Sequence, residues 1–265
     1  MRRRLLLATP ALLLARGAGA LTWRGEPAQG GLLVGQVDPG TRLALDGSPV
    51  RVSPEGLFAI GFGRDHDASA MLRLTAPGGA VEMRDIAVRR RDWDVQRITG
   101  LPPAQVTPDA AALRRITAER EKLALARRAD TALTAFAATP SWPARGRISG
   151  VYGSQRILNG EPRQPHYGLD IAAPTGTPVN AALAGRVTLS ANFFFFGNLL
   201  VLDHGHGVNT LYAHLSERGV TEGEAVAHGQ QIGRIGATGR VTGPHLHFCL
   251  SWHQVWLDPQ PLLGE

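Results

Sequence analysis

The sequence predicts a mainly β protein with two β domains joined by a helical segment. Three observations carry this prediction. Turn signals divide the first hundred residues into short apolar stretches, the middle of the chain has helical periodicity, and the chain from about residue 147 is rich in glycine and short β-like runs. We therefore expect an export signal at 1–20, an N-terminal β domain at 21–100, a helical linker at 101–146 and a C-terminal β domain at 147–265.

The first segment is typical of a secretory signal peptide. Arginines at 2–4 precede an apolar stretch at 5–15, and small residues at 18–20 form a cleavage site. About eleven apolar residues fall short of the roughly 20 that span a bilayer. We expect an exported protein, periplasmic or extracellular, with no stable membrane span.

The charge balance at first favours a nucleic-acid partner, because the formal net charge is +6. Four of the 28 basic residues, however, lie in the first twenty positions, which contain no acid. From Leu21 onward, the sequence contains 24 basic and 22 acidic residues, which gives a formal charge of +2. We therefore expect no nucleic-acid partner. The single cysteine, Cys249, excludes an intramolecular disulfide.

The predicted N-terminal domain is a small β sandwich. Its turn signals include Pro39-Gly40 and Asp46-Gly47, the second of which is a strong hairpin signal. Nothing in it has metal-ligand or nucleophile spacing, which favours an interaction or spacer role. Whether the domain inhibits the rest of the chain stays open.

The predicted helix begins at residues 107–109, where a threonine hydroxyl caps the helix, proline takes the first position and an acid lies near the positive end. Leu113, Ile116 and Leu123 recur at helical spacing among charged residues. We expect a charged amphipathic helix that connects the two β domains.

The C-terminal domain is predicted to be mostly antiparallel, with functional residues on its loops. Its short β-like runs lie at 177–182, 186–190, 199–202, 209–212, 231–235 and 246–250.

Seven of the nine histidines fall between positions 166 and 247, which concentrates the candidate chemistry in the C-terminal domain. In His245-Leu246-His247, strand alternation places both imidazoles on one face. The segment from His166 to Asp170 adds one nitrogen and one carboxylate. Combined with His247, this segment gives two nitrogens and one oxygen, which suit a catalytic Zn²⁺ site that keeps three protein ligands and leaves the fourth position to water.

Each of these signals is weak by itself. A His-x-His strand also occurs by chance, and a lone His-x-x-x-Asp is more often a surface pair. His214 ends an apolar strand, where a structural, hydrogen-bonded histidine is the simplest interpretation.

Taken together, these segments resemble the lysostaphin-type (LytM domain) zinc metallopeptidases. The residues that carry the resemblance lie at 166–171, 176–179, 203–205, 212–215 and 239–248. The resemblance implies that His166, Asp170 and His247 bind Zn²⁺ and that His214 and His245 are catalytic. Which histidine is the general base stays open.

The resemblance also implies a peptidoglycan endopeptidase, with peptidoglycan peptides as its substrate. The alternative is a non-catalytic relative that binds and activates other cell-wall hydrolases. All five positions are present, which favours activity. The bond that is cut and the oligomeric state do not follow from the sequence.

Several further residues have two possible interpretations, one functional and one structural. The aromatic run at 193–196 could line a substrate groove, but burial of alternate rings is favoured. Arg156, Asn159 and Arg163 could contact substrate carboxylates or be exposed to solvent. Cys249 shares the strand face of His247, although a small buried core residue is the favoured interpretation. His204 and His206 flank a turn glycine and are expected to be structural.

Overall fold

The computed structural model describes residues 20–99, 109–158, 160–162 and 164–264. The predicted signal peptide lies outside these residues, apart from Ala20. Among the described residues, no helix combines the length and apolar character needed to cross a membrane.

The N-terminal region is a sandwich of two antiparallel sheets, as predicted. The first sheet has the order β1-β2-β5 and the second has the order β4-β3-β6-β7. Their bounds are β1 Leu21–Arg24, β2 Leu32–Val37, β3 Arg42–Leu45, β4 Ser48–Val50, β5 Leu57–Gly61, β6 Ser69–Thr75 and β7 Val81–Ala87.

One buried cluster holds the two sheets together. Leu33 and Phe58 enter it from the first sheet, and Leu72 and Leu74 enter it from the second. Alternate residues of β6 are buried, which is the pattern of a strand with one face on the core. Burying a side chain of this size contributes roughly 1.5–3 kcal/mol, so this cluster accounts for much of the stability of the sandwich.

The hairpin predicted at Asp46-Gly47 is present. Leu45 pairs with Ser48, so only these two residues connect β3 to β4. Both have positive φ, 47° and 81°, as a type I′ turn requires.

The middle of the chain contains strand β8 (Val95–Ile98) and helix α1 (Ala110–Ala126). The helix is present, but its predicted cap is wrong. Asp109 is the N-cap, and its side chain accepts a hydrogen bond of 2.8 Å from the backbone N–H of Ala112. The threonine expected to cap it lies outside the described residues. A short 3₁₀ turn, Ala135–Ala137, follows.

The C-terminal region is built on a ten-stranded antiparallel sheet with the central order β17-β14-β15-β16-β19-β12-β9. β18 pairs with β16 and β13, and β20 pairs with β19. The bounds are β9 Arg147–Gly150, β12 Leu169–Ala172, β13 Pro178–Asn180, β14 Gly185–Phe193, β15 Gly197–Asp203, β16 Val208–Arg218, β17 Ala225–Val226, β18 Gln231–Ile235, β19 His245–Trp252 and β20 Val255–Leu257. A 3₁₀ turn, Gln260–Leu262, follows the last strand.

Both faces of this sheet are covered. Ile171, Tyr212 and Phe248 belong to the cluster on one face. On the other face, Leu123 and Ala126 of α1 pack with residues of β14, β15, β16 and β19. The helix is therefore part of the core of the C-terminal region. Leu113, which we expected on its apolar face, is 51% exposed.

Two further features join the N-terminal and C-terminal regions. Leu32, Val34 and Ala59 of the sandwich share a buried cluster with Leu250 and Leu257 of the large sheet. In addition, β8 pairs in parallel with β10 (Gln155–Leu158), which pairs with β11 (Glu161–Pro162). The two regions therefore pack directly against each other.

Candidate metal centre

Strand pairing brings the candidate site together at the junction of β12 and β19. Asp170 of β12 lies directly opposite His247 of β19, and their side chains share a face because paired residues point the same way. His245, two residues before His247, lies on that face too, as the His-x-His pattern predicts. This face also carries helix α1.

The third candidate ligand, His166, lies in the loop before β12. It is 3% exposed, and the segment at residues 151–154 holds it in place. The N–H of His166 donates to the carbonyl of Ser154 at 2.9 Å, and the N–H of Gly153 donates to the carbonyl of His166 at 2.8 Å. The ring atom Nδ1 lies 2.9 Å from the carbonyl oxygen of Val151.

Three donor atoms converge at this point. His166 Nε2 lies 3.0 Å from Asp170 Oδ1 and 3.1 Å from His247 Nδ1, and His247 Nδ1 lies 2.7 Å from Asp170 Oδ1. All three residues are buried. Ligand atoms about 2.0–2.2 Å from a tetrahedral zinc are separated by roughly 3.3 Å, so small movements would admit the ion.

The electrostatics of this set favour a cation at its centre. A carbonyl oxygen only accepts hydrogen bonds, so His166 Nδ1 carries a ring proton and Nε2 is the ring nitrogen that could present a lone pair to a metal. That lone pair faces a carboxylate oxygen and a second imidazole nitrogen. Burial raises the pKa of Asp170, but the adjacent imidazoles of His166 and His247 outweigh burial and hold this pKa well below its usual range. The set therefore has the donor chemistry of a metal site.

His214 reaches the same face through a break in strand alternation. Tyr212, on regular β16, belongs to the cluster on the opposite face, and simple alternation would send His214 there as well. His214 instead has a φ of +63°, and the register between β15 and β16 shifts here, where Leu200 pairs with Tyr212 but Asn198 pairs with Leu215. Its ring lies 4.8 Å from that of His245 and 5.8 Å from that of His247, measured between centroids.

A backbone carbonyl contacts Nδ1 of each additional histidine and so places a ring proton on that nitrogen. Nδ1 of His214 lies 2.9 Å from the carbonyl of Thr238, and Nδ1 of His245 lies 2.9 Å from the carbonyl of Gly243. Nε2 is therefore the nitrogen of each ring that does not contact a backbone carbonyl, and Nε2 of His245 lies 3.8 Å from Asp170 Oδ1. Burial, with the nearby imidazoles of His247 and His245, lowers the pKa of His214 to about 3. His214 is therefore neutral at pH 7.

Cys249 takes a more specific position than we expected. It is buried, as predicted, but its Sγ lies 3.0 Å from Nε2 of His247, on the side of the ring away from the donor set. Burial raises the pKa of the Cys249 thiol, which keeps it neutral. The thiol therefore contacts a candidate ligand without joining the donor set.

The aromatic run is divided between core and site. Phe193 is buried, whereas Phe196 is half-buried and its ring centroid lies 5.9 Å from that of His247. Glu119 of α1 accepts a hydrogen bond of 2.8 Å from the N–H of Phe194. The run therefore forms one wall beside the donor set and is anchored by the helix. The side chains of Arg156, Asn159 and Arg163 lie outside the described residues.

His204 and His206 take structural positions, as expected. His204 is fully buried, with Nδ1 2.7 Å from the carbonyl of Ala184 and Nε2 2.7 Å from Thr210 Oγ1. The His206 ring packs on Phe136 at 4.7 Å.

The mainly antiparallel β domain thus combines a buried His-Asp-His donor set with two adjacent imidazoles, an arrangement expected of a catalytic metal site. Residues 164–259 match the sequence profile described as Peptidase family M23. The chain therefore carries a peptidase family M23 domain.

Curated relatives share this part of the chain. The chain is 45% identical over 103 residues to "Peptidoglycan DD-endopeptidase ShyA" of Vibrio cholerae, a match that covers 38% of this chain and 24% of that protein. It is 49% identical over 83 residues to "DD-carboxypeptidase/endopeptidase Mpg" of Neisseria meningitidis, covering 31% and 19%. The chain thus spans about a quarter or less of the length of these relatives.

One solved structure resembles nearly the whole chain. It is the crystal structure of a peptidase M23 candidate from Pseudomonas aeruginosa, with a TM-score of 0.70 and 29% identity. The match covers 90% of this chain and 96% of that one. The likeness therefore extends beyond the M23 segment to the N-terminal region.

Sequence reasoning missed the groups that orient the candidate residues. A backbone carbonyl contacts Nδ1 of each of His166, His214 and His245 and so orients the ring. These carbonyls belong to Val151, Thr238 and Gly243, respectively. Backbone carbonyls carry no residue-type signal, so no motif could have identified them.

Proposed function

We propose that this chain is an exported zinc endopeptidase that hydrolyses peptide bonds in peptidoglycan. The observation that carries the proposal is the convergence of His166, Asp170 and His247 on one sheet face, with His214 and His245 beside them. A structural zinc site would more often have four protein ligands, commonly thiolates. The nearby thiol, Cys249, contacts the far side of His247 instead.

The donor set would hold the ion through His166 Nε2, Asp170 Oδ1 and His247 Nδ1. Zinc bound there would supply Lewis-acid chemistry, which polarises a peptide carbonyl and makes water a stronger nucleophile at neutral pH. The contact between His166 Nδ1 and the carbonyl of Val151 would keep the ligand nitrogen unprotonated, as partners of this kind do in metal sites generally.

The two remaining histidines would handle protons. Because Nδ1 donates to a backbone carbonyl in both rings, Nε2 of His214 and Nε2 of His245 are the nitrogens that could take a proton from the attacking water. The same nitrogen, once protonated, can donate to the developing oxyanion or to the leaving amine.

The proposal that peptidoglycan is the substrate is supported by the family match and by the names of the similar proteins. Export rests on the signal-like segment at 1–20, because a periplasmic or extracellular product would meet that polymer. Removing the signal leaves a nearly neutral chain, which is consistent with a partner other than nucleic acid.

Two variants test the assignment of roles. We expect purified protein to contain about one zinc ion per chain, as three ligands and a water imply. Asp170→Ala should lose both zinc and activity. His214→Ala should keep zinc but release muropeptides roughly 10²–10⁴-fold more slowly, the range expected for loss of a general acid or base. His228→Ala is the matched control, because His228 is exposed and contacts Ser141.

Mass spectrometry of digested peptidoglycan would identify the new termini and hence the bond. Wild-type activity in His214→Ala would contradict its catalytic role. A zinc-loaded chain that releases no muropeptides, but accelerates a second cell-wall hydrolase, would support the regulator hypothesis instead.

A further inference from the structure

The segment at residues 151–154 is the structural support of His166. Three of its backbone groups contact that histidine: the carbonyl of Val151, the N–H of Gly153 and the carbonyl of Ser154. The Ser154 hydroxyl closes the turn by donating to the carbonyl of Val151 at 2.8 Å. Any movement of this segment would move or rotate the His166 ring.

Trp93, which follows the N-terminal sandwich, packs directly on this segment. Gly153 has a φ of +87°, and a Cβ atom built on it would lie 2.0 Å from the Trp93 ring. The Trp93 ring also meets the Tyr152 ring edge-on, with centroids 5.7 Å apart. Tyr152 is buried, and its hydroxyl donates to the carbonyl of Trp256 at 2.8 Å. The indole and the turn are therefore closely fitted.

Two arginines of the N-terminal region hold Trp93 in this position. The guanidinium carbons of Arg64 and Arg91 lie 5.2 Å and 4.6 Å from the ring centroid, within the range of a cation–π contact. Arg64 Nε also donates to the carbonyl of Gly153 at 2.7 Å. Arg91 forms an ion pair of 2.8 Å with Asp258 in the C-terminal region.

These contacts connect the sandwich to the loop that carries His166. The connection passes from Arg64 and Arg91 to Trp93, then to Gly153 and its neighbours, and finally to the His166 ring. The arginine side chains are largely covered, with 12% and 27% exposure. This is a packed interface, and it does not have the form of a segment laid across the donor set.

We propose that the N-terminal region positions the metal ligand His166, with Trp93 and Arg64 as its positioning residues. This inference rests on the proposed zinc site. It assigns the sandwich a role that its sequence, without ligand or nucleophile spacing, does not indicate. Partners that orient metal ligands typically change metal affinity by about 10–100-fold when they are removed.

The test measures zinc affinity of the full chain by competition with a chromophoric chelator. Trp93→Ala should weaken zinc binding by about 10–100-fold. Trp93→Phe, which keeps an aromatic ring for the arginines and Tyr152, should recover most of the affinity. Trp23→Ala is the matched control, because Trp23 lies on β1 of the same sandwich and is 37% exposed.

Arg64→Met keeps the affinity test available if Trp93→Ala does not fold. It removes the hydrogen bond to Gly153 while retaining a side chain of similar length, and we expect a smaller loss of affinity in the same direction. Thermal unfolding with excess chelator separates global destabilisation from the effect on zinc.

Wild-type zinc affinity in folded Trp93→Ala and Arg64→Met would overturn the inference. Faster muropeptide release with unchanged affinity would also overturn it, because that result indicates an inhibitory domain. A wild-type chain that binds zinc but cleaves no peptidoglycan would defeat the proposed function while leaving this inference intact.

Discussion

Replacing Cys249 with alanine tests how the domain orients His247. When His247 Nδ1 offers its lone pair to a metal, Nε2 must carry the ring proton, and Sγ of Cys249 lies 3.0 Å from that nitrogen. Both residues are buried, at 8% and 1% exposure. Cys249→Ala removes the sulfur from this contact and adds no new group.

The size of the effect follows from the two proton positions of His247. Losing a hydrogen-bond partner of a buried group costs about 1–3 kcal/mol, and sulfur is a weak acceptor, so the lower end applies. Without metal, the ring proton can lie on Nδ1, which faces Asp170 Oδ1 at 2.7 Å. The cost therefore falls mainly on the zinc-bound state. About 1.4 kcal/mol corresponds to a tenfold loss of zinc affinity.

Chelator competition at neutral pH measures this loss directly. Cys249→Ser, which restores an acceptor at the same position, should recover part of the affinity. Unfolding measured in excess chelator reports the packing cost of the smaller side chain separately. If Cys249→Ala bound zinc within about twofold of wild type, the thiol would have no role in orienting His247 and this reasoning would be refuted.

Two further predictions concern the scaffold around the site. Burial lowers the pKa of His204 to about 4 from an ordinary value near 6.5, so the fold favours the neutral ring. The contribution of His204 to the free energy of unfolding is complete above pH 6.5 and is lost as the pH falls from 6.5 to about 4, by about 3 kcal/mol in all. Urea unfolding at pH 7 and 4.5 should therefore show a smaller difference in stability for His204→Asn than for wild type. An equal difference would contradict this. Gly205→Ala should destabilise the fold by more than about 2 kcal/mol, since φ is +92° and the added Cβ would lie 1.7 Å from the carbonyl oxygen of Leu133; a thermal midpoint within about 2 °C of wild type would be inconsistent with this clash.

The strand runs and the His-x-His pattern were predictable because they depend on neighbours along the chain. Alternation along a strand follows from backbone geometry alone, which is why His245 and His247 were correctly expected on one face. The helix was also predictable, but its cap was not. Aspartate and threonine are both common N-cap residues, so residue type alone does not choose between Asp109 and Thr107.

His214 shows where local reasoning fails. Alternation from Tyr212 predicts that its side chain lies on the far side of the sheet. The left-handed conformation of His214 returns its ring to the face of His245, and the register shift between β15 and β16 accommodates it. Histidine is enriched at positive φ, but most histidines do not adopt it, so the residue type by itself does not indicate such a bulge.

The sequence by itself determined the candidate donor chemistry: two imidazoles and a carboxylate in the proposed ligand set, two additional histidines, and a mainly β scaffold around them. The tertiary structure alone decided how these groups are oriented. It placed Asp170 opposite His247, returned His214 to their face, set the thiol of Cys249 behind His247 and placed Trp93 against the loop of His166. The physical reason is that residue type and periodicity are local, whereas convergence depends on strand register and on packing between segments far apart in the chain.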